Sequence, residues 1–108
     1  MGQTESIKLE DQLCFPLYAC AREIVKTYRP VLDALGLTYT QYIAMLVLWE
    51  DHEVSVKDLG YRLHLDSGTL TPLLKKLEEK GFLSRERSTR DERVVIASIT
   101  VEGRQLQE

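Results

Sequence analysis

Leu70, Leu73, Leu74 and Leu77 recur at i, i+3, i+4 and i+7, the spacing that places four apolar side chains on one face of an α-helix. The uncovered side keeps Thr69, Thr71, Lys75 and Lys76. A helix tolerates Pro72 only near its beginning, and Ser67 or Thr69 can cap a first turn, so the pattern predicts a start between Ser67 and Thr69. Upstream, Ser55-Val56-Lys57-Asp58 has the spacing of a capping box, with an acidic residue in place of the usual Glu or Gln. Val56, Leu59 and Leu63 give the short helix that follows one buried stripe, and His64-Leu65-Asp66 leaves room for a tight turn. Two short helices joined in this way make a helix-turn-helix, whose second helix presents its amino end to phosphates and base edges.

Beyond Lys80-Gly81, where glycine can close a helix in the left-handed conformation, the pattern changes to strand residues. Phe82-Leu83-Ser84-Arg85 and Val94-Val95-Ile96-Ala97-Ser98-Ile99 read as two strands, and the polar run from Glu86 to Arg93 reads as the tip of a hairpin between them. Such a hairpin is a wing. Arg85, Arg87, Arg90 and Arg93 bring four guanidinium groups towards that tip, suited to tracking phosphates or entering a narrow minor groove. Asp91 stands two residues from Arg93 and can hold its guanidinium in place. The plain alternative for the same residues is a solvated, charged hairpin, and for Lys75 and Lys76 an ordinary helix surface.

The first half predicts three helices. One runs from about Asp11 to Arg29, with Leu13, Leu17, Ile24 and Tyr28 on one stripe and Cys14, Tyr18, Ala21 and Val25 on its neighbour. Asp11 is its expected cap, Pro30 its stop, and Pro16 is expected to kink it beside Cys14. A second spans Val31 to Leu35 and ends at Gly36; a third, capped by Thr40, covers Gln41 to about Glu50 and is nearly apolar throughout, as a central core helix would be. The organisation expected is a single domain over 1–108: helical framework and candidate sensing site at about 9–50, helix-turn-helix and wing at 55–99, and the start of a further helix at 100–108. Residues 1–7 and the last few are expected to be disordered. The fold class is mainly α with a small β-hairpin, a winged helix-turn-helix.

With 108 residues, 44% of them hydrophobic, and a formal charge of -3, the composition is that of one globular domain. An acidic total argues against nucleic acid only until the charge is divided along the chain: residues 1–56 carry -4, residues 57–93 carry +2 and residues 94–108 carry -1. Positive charge gathers where the reading helix and wing were placed, and the local field matters more than the sum. The longest apolar stretch, Ile43 to Trp49, falls well short of the roughly 20 residues that cross a bilayer, so the chain is expected to be cytoplasmic and without a membrane.

Cys14 and Cys20 lie six residues apart on one predicted helix, which turns them about 240° from each other with a rise of about 9 Å, beyond disulfide reach. With only His52 and His64 elsewhere, no zinc spacing is present, and no metal or other cofactor is indicated. Two readings remain for each thiol. Either it is a small core hydrophobe, or it is a reactive thiolate stabilised by a helix amino end, a cation or hydrogen-bond donors. Cys14, in the first helical turns, meets the first of those conditions.

The segment Asp11-Gln12-Leu13-Cys14-Phe15, the run Leu37-Thr38-Tyr39-Thr40-Gln41-Tyr42, the stretch Leu65 to Leu77 and the wing Arg87-Ser88-Thr89-Arg90-Asp91-Glu92-Arg93 together resemble the MarR family of winged-helix repressors, over about residues 9–106. Within it they are most similar to the OhrR branch, which senses organic hydroperoxides through one cysteine in a Leu-Cys-Phe motif. The resemblance implies that Cys14 is the sensing residue and that Tyr28 and Tyr39 donate hydrogen bonds to its sulfur with Tyr18 assisting; Cys20 matches no motif of the family and stays, on composition, a core thiol. It implies double-stranded DNA as partner, an organic hydroperoxide and a low-molecular-weight thiol as redox effectors, and a homodimer on a palindromic operator. DNA contacts would then fall on Ser67, Thr69, Thr71, Lys75, Lys76, Arg85, Arg87, Arg90, Asp91 and Arg93. Thr100 to Leu106 matches only the start of a helix that family members continue into their dimer interface.

Other classes of function stay open at this point. A repressor of the same fold controlled by a small aromatic ligand would leave Cys14 inert. A thiol peroxidase needs a resolving thiol and a reductant site, neither visible here, so no enzyme is expected. A winged helix used for protein contact would bind no DNA even at low salt.

Overall fold

In the computed structural model the described residues are 13–107, and they divide between Gly36 and Leu37 into two compact units. Among the described residues the first unit holds two helices, α1 (Cys14–Lys26) and α2 (Arg29–Leu35). The single long helix expected up to Arg29 is therefore broken at Thr27 and Tyr28, and Pro30 opens the second helix instead of stopping the first. A proline in a first turn loses nothing, since the N–H it lacks has no intrahelical partner there. The same reasoning corrects the expected kink at Pro16. It is the third residue of α1, and its missing N–H breaks no helical bond. The expected cap at Asp11 lies outside the described residues. Gly36, left-handed at φ 70°, ends α2.

The second unit begins with α3 (Tyr39–Asp51), capped by Thr38 and not Thr40. The Thr38 hydroxyl accepts from the Gln41 N–H at 3.3 Å while the Gln41 side chain accepts from the Thr38 N–H at 3.0 Å, a reciprocal box that only the three-residue spacing from Thr38 to Gln41 allows. Ala44, Met45 and Leu48 on this helix are completely buried. The chain then forms β1 (Glu53–Ser55), α4 (Val56–Leu63), α5 (Ser67–Glu79), β2 (Leu83–Arg87), β3 (Val95–Ile99) and α6 (Val101–Gln105). As expected, the Ser55 hydroxyl caps α4 by accepting from the Asp58 N–H at 3.1 Å.

Leu70, Leu73, Leu74 and Leu77 of α5 are all buried, as their spacing required, and meet Leu48, Leu59 and Leu83 in one core. Fully burying a side chain of this kind contributes about 1.5–3 kcal/mol, so this stripe fixes which face of α5 is left outward. The turn between α4 and α5 is tight because Gly60 permits it: a Cβ there would lie 3.0 Å from the Leu65 carbonyl oxygen and 3.2 Å from a Leu70 methyl. Lys80 ends α5, and Gly81 follows at φ 84°, as the sequence implied.

The three strands form one antiparallel sheet in the order β1-β3-β2. β3 is central, with Ile96 opposite Ser55 on one side and Glu86 on the other. β1 is too short to leave a pattern in sequence, and its pairing with β3 joins residues more than forty positions apart. The result is a winged helix-turn-helix whose wing is anchored at both flanks of its inner strand.

Candidate nucleic-acid interface and cysteine-bearing helix

The outward side of α5 carries exposed Ser67, Thr69, Thr71, Lys75 and Lys76, all expected from the sequence. Its cap differs from expectation. Asp66 occupies the cap position, and the Thr69 hydroxyl, instead of capping the amino end, donates to the Asp66 carboxylate at 2.7 Å. Asp66, Ser67 and Thr69 are three cap-forming residues within four positions; Asp66 takes the cap position by its backbone, without a side-chain cap hydrogen bond, and its carboxylate accepts from the Thr69 hydroxyl. That hydroxyl first, and then the nearby backbone N–H groups, hold the Asp66 carboxyl below the ordinary carboxylate range. Pro72, sixth in α5, lies past the first turn, so the Gly68 carbonyl loses the donor it would have had four residues on.

At the wing, a compact set of bonds orders the tip. The Ser88 N–H donates to the Val94 carbonyl at 2.7 Å, the Val94 N–H to the Asp91 carbonyl at 2.9 Å, and the Arg90 N–H to the Ser88 hydroxyl at 3.1 Å. Asp91 grips Arg93 through both backbone and side chain: its Oδ1 accepts from the Arg93 N–H at 3.0 Å and from Nε at 3.2 Å, and its Oδ2 accepts from Nη2 at 3.3 Å. The Arg93 guanidinium first, with the Arg93 N–H, keeps the Asp91 carboxyl below its ordinary value. Arg93 nonetheless remains 90% exposed, a cation aimed but not covered. Arg87 donates to the Glu92 carbonyl at 2.8 Å, and Arg90 is exposed.

Arg85 is the arginine that the sequence misplaced. Its guanidinium turns back from the tip to Glu78 of α5, at 3.0 Å, and is only 26% exposed. Nothing in the spacing of the two residues shows this pairing, because the hairpin brings β2 alongside α5 only in three dimensions. Arg85 therefore clamps the wing to the reading helix.

Between α4, the start of α5 and the wing lies a hollow of about 790 Å³, lined among others by Lys57, Tyr61, Leu70, Thr71, Arg93 and Val95. Tyr61 is 82% exposed beside it, and with Lys57 it belongs to the same outward surface although the sequence did not single them out. An aromatic residue breaking the polar side of α4 was the available signal.

In the first unit, Cys14 is the first residue of α1 and Cys20 lies on the same helix; both are exposed free thiols. Cys20 is thus not the core thiol expected of it, because no residue of α1 is buried and its apolar side chains, including Leu17 and Ile24, stay exposed. Cys14 stands among the first-turn N–H groups of α1, and Leu13, at the cap position, has no side-chain acceptor to offer them. Tyr18, also exposed, lies 5.7 Å beneath the Arg22 guanidinium. Tyr28 precedes α2 in this unit, whereas Tyr39 opens α3 in the other. Among the described residues, no single helix is long and apolar enough to cross a membrane.

A family model described as transcriptional regulator SarA/Rot matches residues 26–108. The organic hydroperoxide resistance transcriptional regulator of Bacillus subtilis is 53% identical over 104 residues, which cover 96% of this chain and 71% of that protein. The HTH-type transcriptional regulator SarZ of Staphylococcus epidermidis is 47% identical over 103 residues, 95% of this chain and 70% of that one. Among solved structures, overoxidised AbfR bound to DNA superposes with a TM-score of 0.83 at 40% identity, covering 97% of this chain and 77% of that chain. Reduced AbfR bound to DNA gives 0.82 at the same identity, covering 99% and 74%.

Proposed function

The chain belongs to the SarA/Rot family of transcriptional regulators, and from that premise we propose that it is a redox-sensing, winged-helix repressor, released from a palindromic operator when Cys14 is oxidised by an organic hydroperoxide. The observation that carries the reading is Cys14, an exposed thiol at the start of α1, in a chain 53% identical to an organic hydroperoxide resistance regulator. The DNA-binding half follows from unit two. α5 offers its hydroxyls and lysines to the major groove, and the Arg93 guanidinium, steadied by Asp91, reaches the backbone or the adjacent minor groove.

The Cys14 thiolate attacks the outer oxygen of the hydroperoxide, the O–O bond breaks, the sulfur keeps the hydroxyl as a sulfenic acid, and the alkoxide leaves, taking a proton from solvent to depart as an alcohol. Tyr28, Tyr39 and Tyr18 are assigned as donors to the sulfur. A low-molecular-weight thiol then condenses with the sulfenic acid, giving a mixed disulfide and water. Each event consumes one protein thiol, so the chain acts as a sensor and not as an enzyme. A homodimer reading two half-sites, in the cytoplasm, completes the proposal.

The test is a gel-shift on a palindromic operator library with and without cumene hydroperoxide. Binding that falls steeply with salt and is released by peroxide is expected, with Cys14→Ser still binding but no longer released. A Cys14→Ser variant that still responds would place the sensor elsewhere. A second reading draws on the hollow beside Tyr61 and Lys57, whose size and mixed lining suit a small aromatic effector. In that case an aromatic acid, and not peroxide, releases the DNA, and Cys14 is labelled no faster than a model thiol.

A further inference from the structure

The Asp66–Thr69 pair at the start of α5 has a consequence for which base the helix can read. A hydroxyl carries a single proton, and Thr69 gives its proton to the Asp66 carboxylate at 2.7 Å. An ionised carboxylate has no proton to offer in return. What the Asp66 and Thr69 side chains present outward is therefore lone pairs alone: those left on the Thr69 oxygen and those on the carboxylate. Both residues are exposed, and they stand at the amino end of the helix, where base-edge contacts concentrate in this architecture.

We propose that Thr69, its proton committed to Asp66, is a specificity-determining residue that accepts from an exocyclic amino group in the major groove, and so selects adenine or cytosine at one position of each half-site. Adenine N6 and cytosine N4 are the donors on that edge; guanine offers only N7 and O6 there, and thymine O4 and a methyl group. Guanine or thymine would set acceptor against acceptor, with no proton left to mediate. Asp66 is thus a positioning residue, acting through Thr69. The inference rests on the DNA-binding reading above and deepens it by naming the chemical group that the helix recognises.

Selection from a randomised half-site library by the unaltered chain, read beside Asp66→Ala, Thr69→Val and Thr69→Ser, tests the proposal. The unaltered chain and Thr69→Ser should enrich adenine or cytosine at one shared position. Asp66→Ala, which lets the hydroxyl turn and donate, and Thr69→Val should both flatten that position by about tenfold and leave the others unchanged. Thr69→Val leaves Asp66 in its cap position, so a folding defect in Asp66→Ala does not decide the matter. Replacing the selected base by its analogue lacking the amino group should cost the unaltered chain about tenfold and Thr69→Val nothing. Duplex binding with guanine or thymine at the Thr69-dependent position, or with profiles identical in all four proteins, overturns the inference while leaving the repressor reading standing. Absence of duplex binding at low salt overturns both.

Discussion

The Trp49 indole nitrogen donates to the Gly103 carbonyl oxygen at 2.8 Å, joining α3 to α6 across 54 positions of sequence. On its other side Gly103 packs against the Phe82 carbonyl oxygen, and it can do so only because it has no side chain: a Cβ there would collide with that oxygen. Gly103→Ala should therefore force α6 away from the sheet and cost about 1–3 kcal/mol. Trp49→Phe, which removes the bond and keeps most of the ring, should cost about 1 kcal/mol. Thermal unfolding followed by tryptophan fluorescence for Gly103→Ala, and by circular dichroism for Trp49→Phe, measures both. A Gly103→Ala midpoint equal to that of the unaltered chain would show that α6 is not held at this point.

The two arginines that bracket the wing should separate cleanly. Arg93→Ala removes an exposed cation and should weaken operator binding about tenfold or more with little change in stability. Arg85→Ala breaks a half-buried pair with Glu78 and should lower stability by up to about 1 kcal/mol, while affecting DNA binding less than Arg93→Ala. Fluorescence anisotropy and urea denaturation on the same two variants check the contrast, and equal binding losses would return Arg85 to the DNA-contacting set.

Much of this head was legible because its signals are local. The leucine spacing of α5, the Ser55 cap and the Gly81 stop each depend on residues within a few positions. The Thr38 cap is equally local, since Thr38 and Gln41 have capping-box spacing and Thr40 has no such partner three residues on. Other features were beyond any local pattern. β1 exists because β3 runs beside it, and Arg85 is lost to the tip because Glu78 is near it in space. The Thr69 hydroxyl had several acceptors within reach, and only the folded helix end decides for Asp66. Cys20 was misjudged for a different reason: amphipathic spacing says that a face seeks cover, not that cover is present.

Acid should loosen the wing tip and the start of α5 together. Asp66 and Asp91 are both held below the ordinary carboxylate range in the folded chain. Their contribution is therefore complete above the unfolded value, near pH 4, and is lost as pH falls through the lower folded values. Amide chemical shifts of Thr69 and Arg93 should titrate with midpoints below that of free aspartate. Asp91→Asn should erase the transition at Arg93 and leave the one at Thr69. A midpoint above that of free aspartate would contradict the bonding described for either carboxyl.

Pro72 should be costly to the fold. Pro72→Ala restores the N–H that the Gly68 carbonyl lacks and removes a ring from the second turn of α5, against some gain of freedom in the unfolded chain. A net stabilisation of about 1–2 kcal/mol is expected, visible as a higher urea midpoint at unchanged slope. An unchanged midpoint would mean that the ring sits in α5 without strain.

Because β3 is held on one edge by β1 and on the other by β2, the hairpin's foundation is set independently of what its tip spells. Residues 88–93 can thus be rewritten during divergence, lengthened or recharged to suit a new promoter, without disturbing the pairing beneath them. Target choice and foldedness become separately adjustable properties, which is what a lineage of regulators needs if it is to acquire new regulons one substitution at a time.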